Sequence, residues 1–173
     1  MKSLRNYSIP FTGLALGKHH FEFDVKDDFF AEFDYSLVKK ANLVCKVEID
    51  KQETMLILDF KITGTISTAC ARCLSEFDMP IAVHEQQIAK FSDEEIDEDD
   101  EIIAIGKNEH EIQLAGLIYE YINVAVPLIA TCSGGDDTSK CDKEMIDKLD
   151  NLSSGNEQDE QADPRWDALK NIK

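Results

Sequence analysis

Two runs of alternating apolar residues, joined by a short polar connection, constrain the fold of this chain most. A period of two is the spacing of a β-strand that buries one face. Lys51-Gln52-Glu53 separates the runs and suits a tight connection between neighbouring strands. The pattern therefore predicts an antiparallel hairpin whose buried positions are Leu43, Cys45, Val47, Ile49, Leu56, Leu58, Phe60 and Ile62.

Shorter patterns on both sides extend this sheet and add helices. Phe21, Phe23 and Val25 alternate in an earlier strand, and Asp28 is placed to cap a short helix that carries Phe29, Phe30 and Phe33. Downstream, we predict a strand at 65–69, a return strand at 81–91 after Pro80, and a helix that ends at Pro127. The apolar face of this helix consists of Leu114, Leu117, Ile118, Tyr121 and Ile122.

These elements predict an α+β fold, which is mainly antiparallel β-sheet with a few short helices and a flexible C-terminal tail. We assign residues 1–150 to a single domain that contains the set of four cysteines Cys70, Cys73, Cys132 and Cys141. Residues 151–173 are a polar linker and a short amphipathic helix. The helix is predicted to begin at Asp163-Pro164, an N-cap followed by a proline in the first turn, and to carry Trp166, Leu169 and Ile172 on one side.

The balance of charge bears on the kind of partner. The chain has 35 acidic and 18 basic residues, and its formal net charge is −17. Such a protein repels RNA at long range and attracts basic partners. Eight of the ten residues at 92–101 are Asp or Glu. This run is typical of a solvated surface loop, and it is alternatively a binding segment for a basic protein or a mimic of nucleic-acid charge.

The apolar stretches are too short to cross a membrane, and the first residues lack the apolar core of a secretory signal. We therefore expect a cytoplasmic protein with no membrane contact. In that compartment thiols stay reduced, so cysteines serve more often as metal ligands or catalytic groups than as disulfides.

Two cysteine pairs form the most informative motif. Cys70 and Cys73 have the C-x2-C spacing near the predicted hairpin tip, and Cys132 and Cys141 follow in a loop rich in turn residues. Four thiolates satisfy the tetrahedral preference of Zn²⁺ and form a closed structural site. The four residues are therefore candidate zinc ligands, although the C-x8-C spacing of the second pair is wider than that of the usual zinc ribbon.

Two alternatives for these thiols stay open. They are ordinary thiols packed in a turn, or Cys70 and Cys73 form a redox pair, which is typical of a helix N-terminus after a strand rather than of a hairpin. Cys45 lies on the apolar face of its strand and is expected to be a small buried residue. The sequence suggests no catalytic residue, because no nucleophile and base occur at a recognisable spacing and there is no phosphate-binding glycine motif.

The segment Cys70-Ala71-Arg72-Cys73-Leu74 resembles the C-x-R-C-L signature of the YceD family, the large ribosomal RNA subunit accumulation proteins. The resemblance extends over most of the chain. It includes Phe11-Thr12-Gly13-Leu14, Gly17, Gly64, the acidic run, the helix that ends at Pro127, the second cysteine pair and the segment from Asp163 to Leu169.

The resemblance implies a non-enzymatic role in the accumulation of large-subunit ribosomal RNA, and hence in ribosome assembly. It also implies that Cys70, Cys73, Cys132 and Cys141 are metal ligands. Because the chain is so acidic, we expect it to act through a basic ribosomal protein or large-subunit assembly factor, with at most weak or indirect contact with ribosomal RNA. The alternatives are a thiol oxidoreductase and a direct RNA-binding module, whose basic surface would combine Arg5, Lys39, Lys40, Lys46 and Lys51.

Overall fold

A five-stranded sheet dominates the computed structural model, which describes residues 4–92, 102–106, 108–133 and 138–153. The strand bounds are Ser8–Ile9 (β1), Gly17–Lys26 (β2), Lys40–Lys51 (β3), Met55–Ala69 (β4), Glu76–Phe91 (β5), Ile102–Ile105 (β6) and Ile112–Gln113 (β7). The sheet has the strand order β2-β3-β4-β5-β6, and all neighbours are antiparallel except β5 and β6, which are parallel. The strands β1 and β7 form a separate antiparallel pair.

One face of the sheet is buried and the other is open to solvent. The alternating residues of β3 and β4 that the sequence places inward are 0–1% exposed, which confirms the predicted hairpin. The Gln52 amide donates to the Met55 carbonyl at 2.9 Å and closes the connection between these strands. On the outer face, charged side chains pair across strands, as Lys18 does with Glu48 at 2.6 Å.

Short helices cover the buried face. They are a 3-10 turn at Leu4–Tyr7 and the helices Asp27–Phe30 (α1) and Ala115–Ala125 (α2). Leu114, Ile118 and Ile122 are fully buried, and each such side chain contributes about 1.5–3 kcal/mol through burial. Beyond α1, Phe33 stacks on Tyr119 of α2 with ring centroids 3.9 Å apart, so the two helical regions pack on each other as well as on the sheet.

Four element boundaries differ from those predicted. The strand predicted at 65–69 is not separate but forms the end of β4, and α1 ends at Phe30, so Phe33 lies beyond it. The helix α1 begins at Asp27, so Asp28 lies within its first turn and is not the cap; the Asp27 carboxylate instead accepts from the Ala41 amide at 2.8 Å. The strand β5 begins at Glu76, so Pro80 lies inside it. The Cys70 amide donates to the Ser75 carbonyl at 2.9 Å, one pair beyond the ladder between β4 and β5. In this register the backbone groups of the even-numbered residues of β5 point away from β4. The missing N–H of Pro80 therefore costs no ladder bond, because β6 pairs only with residues 88–91.

The last described helix is Lys143–Ser153 (α3). None of the described helices has the length and apolar character that a membrane span requires. The acidic residues at 93–101 and the C-terminal segment with Trp166 lie outside the described residues. The assignment of 1–150 and 151–173 to a domain and a tail stays a prediction.

Candidate metal centre

The first cysteine pair lies in the turn that joins β4 to β5. Ala69 and Glu76 form the last residue pair of the ladder, and the segment between them turns back on itself. The Leu74 amide donates to the Cys70 carbonyl at 2.9 Å, and Leu74 has a φ of 63°. A non-glycine residue with a left-handed backbone is uncommon, and here it turns the chain so that both thiols lie on the same side. The position predicted for this pair, at the tip of a hairpin, is thus confirmed.

The second pair comes from the segment between α2 and α3. The Ala71 amide donates to the Ala130 carbonyl at 2.7 Å, which places Cys132 beside the hairpin turn. The Cys141 amide donates to the Thr138 carbonyl at 3.0 Å. The next residue is Asp142, whose carboxylate accepts from the Glu144 amide at 2.9 Å at the start of α3. Each cysteine of this pair is therefore positioned by its own turn.

The four thiols converge on one point. All four sulfur atoms lie within 4.8 Å of one another, and the Sγ atoms of Cys73 and Cys132 are 3.7 Å apart. With zinc–sulfur bonds of about 2.3 Å, a tetrahedral site has sulfur–sulfur distances of about 3.8 Å. None of the cysteines forms a disulfide. This donor set therefore fits a tetrahedral thiophilic cation such as Zn²⁺.

Backbone amides favour negative charge on the first pair. The Cys73 amide donates to the Cys70 sulfur and, against the opposing effect of burial, lowers the pKa of Cys70 to about 6. The amides of Asp142 and Ser75 lower the pKa of Cys73 in the same way. Burial and the adjacent thiols raise the pKa of Cys132 to about 12 and raise that of Cys141. Four thiols this close cannot all ionise without a cation between them, and a bound metal removes that conflict.

The cluster has its own small apolar shell, separate from the main core. Cys70, Cys73 and Cys141 are buried, and Phe77, Met145 and Ile146 pack around them. No residue of α3 is fully buried, and its apolar contacts are with this cluster. A metal ion held by the four sulfurs would thus connect the hairpin turn, the segment at Cys132 and the start of α3, which is the role of a structural site.

The remaining candidate residues take other roles. Cys45 is fully buried in the main core, as predicted, and burial raises its pKa to about 12. His20 lies 3.5 Å from Glu48, and His84 lies 3.9 Å from Asp59, both on the open face of the sheet. Within the described part of the chain, the four cysteines are the only group of metal-binding side chains that meet at one point.

The lysines considered for RNA binding do not form one patch. Lys40 pairs with Glu76, and Lys46 pairs with Glu22. Lys51 donates to the carbonyls of Phe11 and Leu14 at 2.8 Å each, at the opposite end of β3 from Lys40. Each of these three lysines therefore has a partner within the chain, and the three are spread along β3.

Sequence reasoning missed the contribution of Asp142. Its carboxylate caps the start of α3 by accepting from the Glu144 amide, and its own backbone amide donates to the Cys73 sulfur. The signal for the cap was present, since an Asp directly before an amphipathic segment is a common helix start. The bond to sulfur had no sequence signal, because it depends on how two distant segments meet.

Fold and cysteine centre together define a small α+β protein with a site suited to a structural metal ion. The sequence profile of the family described as "Large ribosomal RNA subunit accumulation protein YceD" matches residues 58–173. The match covers more than half of the chain and includes all four clustered cysteines, so the chain belongs to the YceD family. Searches among curated proteins and among solved structures found no match.

Proposed function

We propose that this protein is a non-enzymatic accessory factor of ribosome biogenesis, that it supports accumulation of large-subunit ribosomal RNA, and that Cys70, Cys73, Cys132 and Cys141 hold a structural zinc ion. The observation that carries the metal assignment is the convergence of four sulfurs within 4.8 Å. The family description supports the ribosomal role. Zinc would stabilise the arrangement of the hairpin turn and α3. Any enzymatic processing of the ribosomal RNA would be carried out by other factors.

We further propose that the protein acts through a basic ribosomal protein or a large-subunit assembly factor in the cytoplasm. A net charge of −17 favours a basic partner over RNA, and the lysines described above are engaged within the protein. The run at 92–101 adds a dense block of negative charge for such a partner.

Metal analysis tests the zinc site directly. Protein purified without chelator should contain about one zinc ion per chain, as a closed four-thiolate site requires. Cys132→Ser should lose most of this zinc, whereas Cys45→Ala, which also removes one thiol, should retain it. Zinc near zero in the unsubstituted protein, together with a reversible Cys70–Cys73 disulfide, would instead support the redox alternative.

A cellular experiment tests the role in assembly. Depletion of the protein should lower the ratio of large-subunit to small-subunit ribosomal RNA, and the unsubstituted protein should restore it. Cys132→Ser should restore it poorly, because the hairpin turn and α3 lose their common ligand. An unchanged ratio after depletion would refute the ribosomal role.

The acidic run is tested with total protein extracted from large ribosomal subunits as the binding partner. Amide substitution of the eight carboxylates should weaken binding and flatten its dependence on salt. A permuted run with the same composition keeps the charge and is the matched control, so it should bind like the unsubstituted chain. Equal binding by all three proteins would exclude the run as the contact.

A further inference from the structure

A groove with an aromatic floor and acidic walls runs along the free edge of the sheet at β2. Its volume is about 540 Å³, and it lies between the 3-10 turn, the outer edge of β2 and the start of α1. The aromatic lining residues are Tyr7, Phe23 and Phe29, and the charged ones are Glu22, Asp24, Lys26 and Asp28. Three carboxylates against one ammonium give the lining a net charge of −2. Asp24 pairs with Lys26 at 3.1 Å and Glu22 with Lys46 of β3 at 3.6 Å, so a basic partner would replace these exposed surface pairs, whereas Asp28 pairs with no lysine in the described part of the chain.

The floor of the groove is built from packed aromatic rings. The Tyr7 ring lies 4.8 Å from that of Phe29 in an edge-on arrangement and 5.7 Å from that of Phe23. The Tyr7 hydroxyl donates to the Asp24 carbonyl at 2.7 Å, which fixes the ring against the strand. Burial and the nearby charges of Asp24 and Asp28 raise the pKa of Tyr7, so this hydroxyl lies in a negative field. Phe29 is buried beneath this surface, so the partly exposed rings of Tyr7 and Phe23 offer the aromatic faces over which a cation can lie.

The outer backbone of β2 is available for pairing at His20 and Glu22, whereas the Asp24 carbonyl already accepts from the Tyr7 hydroxyl. In the described part of the chain, β3 is the only strand beside β2. The hydrogen bond from the Gln52 amide to the Met55 carbonyl shows that the N–H and C=O groups of even-numbered β3 residues point toward β4, so those of odd-numbered β3 residues point toward β2. Odd-numbered β2 residues lie opposite odd-numbered β3 residues, so their N–H and C=O groups are used in the pairing with β3. The N–H and C=O groups of His20, Glu22 and Asp24 therefore point outward, and the Asp24 carbonyl meets Tyr7 there.

Among the described strands, the outer side of β2 and the outer side of β5 before residue 88 have no neighbour, and the two differ. On β5, the outward position at residue 80 is proline, which blocks the addition of another strand. The strand β2 has ten residues and no proline. Within the described residues, β5 is thus protected and β2 is able to pair beside an acidic groove.

We propose that an extended, arginine- or lysine-rich peptide segment adds to the edge of β2 and places its basic side chains in the groove lined by Tyr7, Glu22, Asp24 and Asp28. Backbone pairing supplies the affinity of strand addition, and the carboxylates and rings select basic side chains. This inference rests on the proposed function, since it identifies a contact surface for the basic partner. The groove precedes residue 58, so the family match does not include it.

The test uses the full chain and a labelled synthetic peptide in which arginine and threonine alternate. The groove variant carries Glu22→Gln, Asp24→Asn and Asp28→Asn. The matched control carries Glu53→Gln, Asp78→Asn and Glu120→Gln, three exposed positions away from the groove with the same change in charge. At about 0.15 M salt, the groove variant should bind about tenfold more weakly, as expected for the loss of three partly exposed ion pairs, and the control should change by less than about twofold.

A second probe separates strand addition from charge attraction. The same peptide with every backbone nitrogen methylated keeps its charge but has no N–H donors, so it should bind at least about tenfold more weakly. Equal binding of the two peptides would overturn the inference, as would equal weakening by the groove and control variants. Tighter binding of a single-stranded oligouridylate than of the peptide at the groove would also overturn it, because the surface would then select RNA.

Sedimentation with large-subunit precursors distinguishes failure of this inference from failure of the proposed function. If the groove variant sediments with precursors as well as the control variant, the groove inference is refuted and the proposed function stands. If no version of the chain sediments with precursors while the peptide still selects the groove, the proposed ribosomal role is refuted and the peptide site stands.

Discussion

Gly64 is the backbone position at which a small substitution should cost most. It lies in β4 between Leu43 of β3 and Ile81 of β5, and its φ is +145°. A Cβ added there would lie 2.2 Å from the Asn42 carbonyl oxygen and 2.9 Å from the Leu43 Cα. Both neighbours are backbone atoms of the central hairpin, so they cannot move aside as a flexible side chain would.

Two effects set the magnitude for Gly64→Ala. Holding a residue with a Cβ in this backbone region costs about 1–3 kcal/mol. Forcing a methyl group into packed structure costs about 1–3 kcal/mol more. We therefore expect the free energy of unfolding to fall by about 2–6 kcal/mol, a large part of the stability of a typical domain.

Gly116→Ala is the matched control, because it adds the same methyl group at another glycine. Gly116 lies in α2, and its added Cβ would meet no atom within 4 Å. Alanine in a helix is favoured over glycine by about 0.5–1 kcal/mol, so this variant should be slightly more stable. Urea unfolding at a fixed zinc concentration measures both variants. A loss below about 1 kcal/mol at Gly64, or a similar change at both positions, would refute the reasoning.

Three further predictions follow from buried groups and from the cysteine centre. Gln87 is buried, its amide oxygen accepts from the Tyr121 hydroxyl at 3.0 Å, and its amide nitrogen has no partner within the described structure. Tyr121→Phe should therefore cost about 1–3 kcal/mol in urea unfolding, and adding Gln87→Met should recover part of the loss; a double variant less stable than Tyr121→Phe would contradict this. Burial raises the pKa of Cys45 to about 12 in the folded protein, whereas the unfolded chain loses this proton near pH 9. The free energy of unfolding should therefore fall as pH rises above about 9, by up to about 1.4 kcal/mol per pH unit. Cys45→Ala should show a shallower decline, and equal slopes for the two proteins would refute the assignment. Chelation of zinc should remove hydrogen-exchange protection from Lys143–Ser153 and leave β3 and β4 protected, because α3 packs on the cysteine cluster and not on the main core. Equal loss of protection in both regions would contradict this prediction.

The sequence predicted the central sheet well because period-two patterning reports directly on a half-buried strand. Leu43 to Ile49 and Leu56 to Ile62 each alternate without interruption, and the structure buries the expected face. The start of β5 was predicted too late, since Pro80 usually argues against a strand. Only the strand order shows that residue 80 faces an unpaired edge, and strand order is not encoded in local periodicity.

For the candidate site, the sequence identified the four thiols but not what positions them. The C-x2-C spacing and the alternating strands together predicted the first pair at a hairpin tip. The approach of Cys132 and Cys141 depends on the bond from Ala71 to Ala130 and on the cap at Asp142. These contacts join segments far apart in sequence. The groove at β2 had no local signal either, because Tyr7 and Asp24 become neighbours only when the 3-10 turn packs on the sheet.

The cysteine centre and the groove are far enough apart that a substitution can disrupt one site and leave the other intact. Lys26, at the end of the groove, lies in register with Asn42, which in turn pairs with Thr65 of β4. From Thr65 to the turn at Ala69 the strand continues for four residues, or roughly 13 Å at the usual rise of a strand. The two sites also contact different apolar clusters, since Phe29 belongs to the main core and Phe77 to the shell of the cysteines. Loss of ribosomal RNA in Cys132→Ser, with peptide binding intact, would therefore assign the defect to the hairpin turn and α3, and would show that a basic peptide at β2 is insufficient for function.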